Sequence, residues 1–205
     1  MDMNLNTSEQ KQDYDVELDK MDLSNPRWCY LRDYHKENYK YCKKQNENGV
    51  LKLRGTSITL EEADTPTFIG IRQSEFNTNL RVMVSGEAKE AGITFYMDES
   101  EHYDLAFVQD ESSKKIILRI KVGDAQAVLQ EIFVEKDEVW LEVESTSEEY
   151  SFFCIINGER KYLGKARTKY LSSEVVGGFT GVIMGMYAID ENDKWASFHN
   201  LVWRQ

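Results

Sequence analysis

The chain has 205 residues, 30% of them charged, with a formal net charge of −11. That length suffices for one domain with a filled core. The acidic balance excludes a nucleic-acid partner held through its phosphates, which would need concentrated Lys and Arg. No apolar run approaches a membrane span, so no membrane partner is expected. The amino terminus lacks the basic-then-apolar pattern of a secretion signal, so the expected location is cytoplasmic, unless the chain is a module of something larger. Cys29, Cys42 and Cys154 are odd in number and form no CxxC pair. They are expected to be free, mostly buried thiols, with no metal and no cofactor.

Residues 1–12 are polar and aperiodic, which predicts a disordered tail ahead of a single domain over 13–205. Residues 13–23 read as a short strand or irregular cover, and Trp28 as a plug for one end of a core. From Val50 the pattern becomes alternation, the signature of half-buried strands. Strands are predicted at Val50 to Arg54, Thr67 to Gln73, around Leu80, Val82 and Val84, and around Ile93, Phe95 and Met97. Asp98 to Glu101 reads as an acidic turn, with His102 to Val108 as the returning hairpin strand.

Lys115 to Val122, Val128 to Val134 and Val139 to Val143 continue the series. Tyr150 to Ile156 ends at Asn157-Gly158, the strongest hairpin signal in the chain, and Glu159 to Lys165 returns from it. One helical turn is expected near Leu171 to Glu174. The stretch from Gly177 to Ala188 holds glycines that would weaken a helix but suit a strand lying against another backbone. No Gly-Lys-Ser/Thr follows, so it is not a phosphate loop. Trp195 to Trp203 closes the chain, paired near the amino-terminal segment. About twelve short strands and no convincing helix predict an all-β fold, a two-sheet antiparallel β-sandwich, with a closed barrel as the structural rival.

A set of short motifs runs through this series in order: Trp28-x-x-Leu31-Arg32, Leu51-x-Leu53-Arg54-Gly55, Phe68-x-x-x-Arg72-Gln73, Glu90-Ala91-Gly92-Ile93-x-x-Tyr96 and His102-Tyr103-Asp104-Leu105. Val139-x-Leu141-x-Val143, Tyr150-x-Phe152, Leu163-Gly164 and Gly178-Phe179-Thr180-Gly181 complete it. In this order they resemble the C-terminal concanavalin A-like β-sandwich, a jelly roll, of family 43 glycoside hydrolases, the β-xylosidases and α-arabinofuranosidases. The resemblance covers about Asp13 to Trp203.

It implies that the catalytic carboxylates belong to a separate five-bladed propeller, with the sandwich packed on it and in some members lending a loop to the active-site edge. On that reading this chain has no catalytic residues and is an accessory or carbohydrate-binding module for xylan or arabinan breakdown. Its expected partners are an oligosaccharide ligand or a family 43 propeller-type catalytic partner. Family members often end in an Ala-Asp-Phe-Asp-like segment whose acids suit calcium. Here Ala196-Ser197-Phe198-His199 lacks both carboxylates, which argues against a metal site.

Among residues with chemistry, Asp98, Glu99 and Glu101, like Glu142 and Glu144, read as solvated charge. His102 reads as a hydrogen-bonded edge histidine and Cys154 as core. A sugar site needs aromatic faces and planar hydrogen-bonding groups. Arg72 and Gln73 end an apolar strand, and Tyr96, Tyr103 and Trp140 supply aromatic rings, so these five are the candidate carbohydrate-binding residues, lining one concave sheet. Two alternatives stand beside that reading. In one, the same residues are anchors of a protein-interaction face; in the other, the chain is a stand-alone glycosidase or lyase.

Overall fold

A computed structural model describes residues 21–43, 49–177 and 181–204. The predicted tail over 1–12, most of the 13–23 segment and the motif residues Gly178, Phe179 and Thr180 lie outside the described residues. Among the described residues thirteen strands run in chain order. They are β1 (Tyr39–Cys42), β2 (Val50–Arg54), β3 (Thr67–Arg72), β4 (Thr78–Gly86), β5 (Glu90–Tyr96), β6 (Glu101–Gln109) and β7 (Lys114–Val122). After them come β8 (Ala125–Phe133), β9 (Glu138–Ser145), β10 (Glu149–Ile156), β11 (Glu159–Arg167), β12 (Ile183–Ile189) and β13 (Trp195–Arg204). A 3-10 turn (Thr168–Leu171) and the helical turn α1 (Ser173–Val176) sit between β11 and β12. None of these helices is long and apolar enough to cross a membrane.

The strands form a seven-stranded sheet, β1-β2-β13-β4-β9-β10-β11, and a six-stranded sheet, β3-β12-β5-β6-β7-β8. Every pairing within them is antiparallel. Two separate sheets rule out the closed barrel. Alternation explains the layering: in β4, Leu80, Val82 and Val84 are fully buried between the sheets while Arg81 and Met83 face outward. Each such side chain contributes roughly 1.5–3 kcal/mol when taken from water. The Asn157-Gly158 turn has both residues at positive φ, 55° and 81°, as a two-residue hairpin of the predicted kind requires.

The inner strands β12, β5 and β6 of the six-stranded sheet are buried on both faces, whereas its edge strand β8 is exposed. β12 is buried at six consecutive residues, because loop residue Leu60, together with Cys29 and Leu31, packs with Phe68, Tyr96, Ala106, Ile117, Ile183 and Tyr187 on the outer face. Close approach explains the glycine in the middle of β12. A Cβ on Gly185 would lie 2.3 Å from the Phe68 ring and 3.0 Å from the Ile69 carbonyl oxygen. The edge strand β3 is covered by the amino-terminal segment, where Cys29 and Gly70 exchange backbone hydrogen bonds at 2.7 and 3.0 Å. Trp28 does close one end of the core, edge-on to Trp203 at 6.3 Å.

Some expectations are corrected. β1 is a strand that the sequence pattern does not predict, while residues 21–23 are irregular, one of the two forms expected of them. The thiols are not mostly buried: Cys154 is, Cys29 is half-buried and Cys42 is exposed. Burial pushes the Cys154 thiol up to about 11.

Candidate functional site

The five predicted binding residues do not line one sheet. Arg72 and Tyr96 share a row on the outer face of the six-stranded sheet, since both are cross-strand partners of Ile183. Tyr96 is buried there, near Phe68 and stacked on His102, while Arg72 is exposed and donates from Nη1 to the Gly181 carbonyl at 3.3 Å. Tyr103 pairs with Phe95, so it points into the inter-sheet core, fully buried, and its hydroxyl donates to the Arg167 carbonyl at 2.9 Å. Trp140 lies half-buried on the outer face of the other sheet, with the Arg81 guanidinium 4.4 Å above its ring. The register decides this. Partners in the β5–β6 hairpin put Tyr103 on the side of Phe95, opposite to Tyr96.

Gln73 leads to a cleft at the loop end of the sandwich. Its backbone N–H donates to Val182, and its side-chain Nε2 donates to the Glu75 carbonyl at 3.0 Å and to Ser145 Oγ at 3.3 Å. Its Oε1 accepts from the Tyr150 hydroxyl at 2.8 Å. The buried Ser145 hydroxyl donates to the Phe76 carbonyl at 2.6 Å and accepts from Thr78 N–H at 3.2 Å. The Thr78 hydroxyl lies 2.6 Å from the same oxygen. The β3–β4 loop is therefore braced on both sides by one serine and one glutamine, whose polar atoms are used up within the fold. At its tip Phe76 is 68% exposed.

Opposite stands the β11–β12 connection, with Tyr170 39% and Val175 52% exposed. Between the two lies a cleft of about 380 Å³, lined by Gln73, Phe76, Ser147, Tyr150, Lys169 and Leu171 among others. Sequence reasoning misses Phe76 and Ser145. A lone Phe between polar neighbours at a strand end is the only signal for them.

A second constellation is largely buried on the outer face of the six-stranded sheet. His102 Nδ1 lies 2.9 Å from Asp104, and Arg119 Nε donates to Asp104 Oδ2 at 2.8 Å. The other end of the same guanidinium reaches Glu90 (Nη1 to Oε2, 3.2 Å), and the Tyr187 hydroxyl donates to Glu90 Oε1 at 2.6 Å. His102 is thus on a central strand and 1% exposed, not at an edge. His102 and Asp104 are inaccessible there, while Arg119 and Glu90 keep 15% and 14% of their side-chain surface exposed, and the pairing among them ties β5, β6, β7 and β12 together.

Burial by itself would raise the Asp104 carboxyl, but His102 and Arg119 outweigh it and hold the group at about 2. A carboxylate depressed in the folded state stabilises above its unfolded value near 4 and ceases to as pH falls through the folded value. Urea titrations between pH 5 and pH 2 should therefore show the wild type losing roughly 2 kcal/mol that Asp104→Asn, already destabilised, does not lose. Parallel acid limbs for the two proteins would contradict this.

The predicted acidic clusters resolve differently. Asp98 caps its own turn, accepting from the backbone N–H groups of Ser100 and Glu101 at 2.8 and 3.0 Å. Glu142 is buried rather than solvated: Asn79 donates to Oε1 at 3.0 Å and Arg160 to Oε2 at 3.2 Å. In the closing strand, His199 Nε2 lies 3.1 Å from Ser85 Oγ. The described residues contain no group of three or more acids, histidines and cysteines able to hold a metal.

The family model for the beta xylosidase C-terminal concanavalin A-like domain matches residues 19–204. The chain belongs to this family. A non-reducing end alpha-L-arabinofuranosidase of Bacteroides ovatus is 32% identical over 184 residues, which cover 87% of this chain and 33% of that protein. The solved structure of a family 43 protein from a Bacteroides ovatus xyloglucan PUL superposes with a TM-score of 0.81 at 29% identity, over 95% of this chain and 39% of that one. A xylan beta-1,4-xylosidase of Bacillus halodurans, at 20% identity, shares the fold with a TM-score of 0.78, over 93% of this chain and 39% of its own. The chain thus spans about a third of the length of the curated relative it matches. It corresponds to the C-terminal concanavalin A-like module of these enzymes.

Proposed function

We propose that this sandwich is a non-catalytic accessory module that docks on a family 43 propeller catalytic domain through its loop end, in enzymes that break down plant polysaccharides such as xylan or arabinan. The observation that carries this reading is Phe76, a large aromatic 68% exposed on a loop held rigid by Ser145 and Gln73. An exposed aromatic on a pre-ordered support loses little entropy on binding and is the usual form of an interface hot spot. Tyr170 and Val175 enlarge the apolar surface across the cleft. The relatives support the same reading, because in them a sandwich of this size accompanies a longer remainder of the chain.

The test is the affinity of the chain for a family 43 propeller domain from the same genome, supplied as a separate polypeptide. Phe76→Asp should weaken binding by at least about 30-fold, the effect of losing a hot spot of about 2 kcal/mol. Its melting temperature should be unchanged, because Phe76 touches little of the core. Absence of wild-type binding, or equal binding by the variant, would refute the proposal.

A further inference from the structure

We infer a second binding site, for an acidic saccharide carrying a uronate carboxylate, on the outer face of the seven-stranded sheet. It is separate from the docking cleft and does not depend on that reading. Here the register lines up Met83, Trp140 and Ile155 in one row and Arg81, Glu142 and Phe153 in the next. A groove of about 570 Å³ runs over them, bordered by Lys136, Glu138 and the Asn157-Gly158 turn. That volume lies within the range of small-ligand sites.

The charges in this groove do not cancel among themselves. Arg160 is paired with carboxylates: Nε donates to Glu142, Nη2 lies 2.7 Å from Glu144, and the guanidinium stacks 3.4 Å above Phe153. Arg81 is not. Its guanidinium stacks on Trp140, its Nε is buried without a hydrogen-bond partner, and among the described residues no carboxylate lies within ion-pair distance of it. A buried donor left unmet is destabilising, so a partner for it is favoured. In a chain with 36 acidic residues against 25 basic ones, a guanidinium without an internal carboxylate is poised for one from outside.

The rest of the groove fixes the class of ligand. Trp140 offers indole surface for a pyranose, while Glu138, Lys136 and Asn157 supply polar groups for hydroxyls. Glu138 and Glu142 disfavour a doubly charged phosphate, whereas a single carboxylate meets Arg81 and Lys136. A sugar acid satisfies both demands at once.

Titration followed by tryptophan fluorescence and calorimetry decides the matter. The probes are a xylo-oligosaccharide bearing one glucuronic acid branch, the neutral oligosaccharide of equal length, and inorganic phosphate. Saturable binding of the acidic probe is expected, with the neutral one at least about tenfold weaker and binding falling with salt. Arg81→Met should remove about tenfold or more of the affinity, and Lys136→Ala, at an exposed position, a smaller part. Equal binding of the neutral sugar, an identical response to phosphate, no effect of either substitution, or no binding of the acidic probe would each overturn the assignment.

Discussion

Replacing Arg119 with Met is expected to remove about 3–5 kcal/mol of folding stability, although the side chain is neither aromatic nor part of the inter-sheet core. The reason is what it leaves behind. Asp104 is completely buried and Glu90 nearly so, and a single guanidinium bridges them, with Nε on one and Nη1 and Nη2 on the other. Without it two carboxylates share a largely buried space with His102 and Tyr187. The Tyr187 hydroxyl is pushed well above its usual range, by burial first and then by Glu90, so it stays a neutral donor, and a phenol offers no positive charge in either protonation state. Chemical denaturation of Arg119→Met should show the loss, and adding Glu90→Gln should return part of it, because one stranded charge is then gone. By contrast, breaking the surface Lys165–Glu149 pair should cost far less, because solvent screens it. Similar losses for the two pairs would mean that water screens the Arg119 cluster as it does a surface pair.

Trp203→Ala is expected to cost about 3–5 kcal/mol, the usual consequence of emptying a large fully buried aromatic site. Trp203 is the largest side chain with no exposed surface, and it joins the last strand to Trp28 of the amino-terminal segment. Its indole nitrogen has no hydrogen-bond partner, so what it provides is shape and apolar area. Trp203→Phe should accordingly lose well under half as much as the alanine variant. A phenylalanine variant as unstable as the alanine one would show that the indole N–H matters. Thermal melts of the three proteins distinguish these outcomes.

Why are some features legible in the sequence and others not? β4 alternates cleanly because only one of its faces is buried, and in β9 the alternation still assigns Val139, Leu141 and Val143 inward although Glu142 is covered on the outer face. β5, β6 and β12 are covered on both faces, so their apolar runs hide which residue points where. Tyr103 reads as a surface residue for that reason, and His102 as an edge residue. The Asp104–Arg119 contact needs the β6–β7 register, which no local pattern encodes. A clue is present in the polar residues Thr94, His102 and Asp104 set within otherwise apolar strands. β1 is four residues long and carries no sustained alternation. Gln73 is correctly legible as a strong hydrogen-bonding group, but its partners, Ser145 and Tyr150, come from β9 and β10, more than seventy residues away.

Hydrogen–deuterium exchange of the chain with and without a family 43 propeller domain would test the docking proposal most directly. Slowed exchange is predicted in the loop between β3 and β4 and in the connection from β11 to α1, with both sheet interiors unchanged. Protection confined to the outer strands of either sheet, or no footprint at saturating partner, would contradict it.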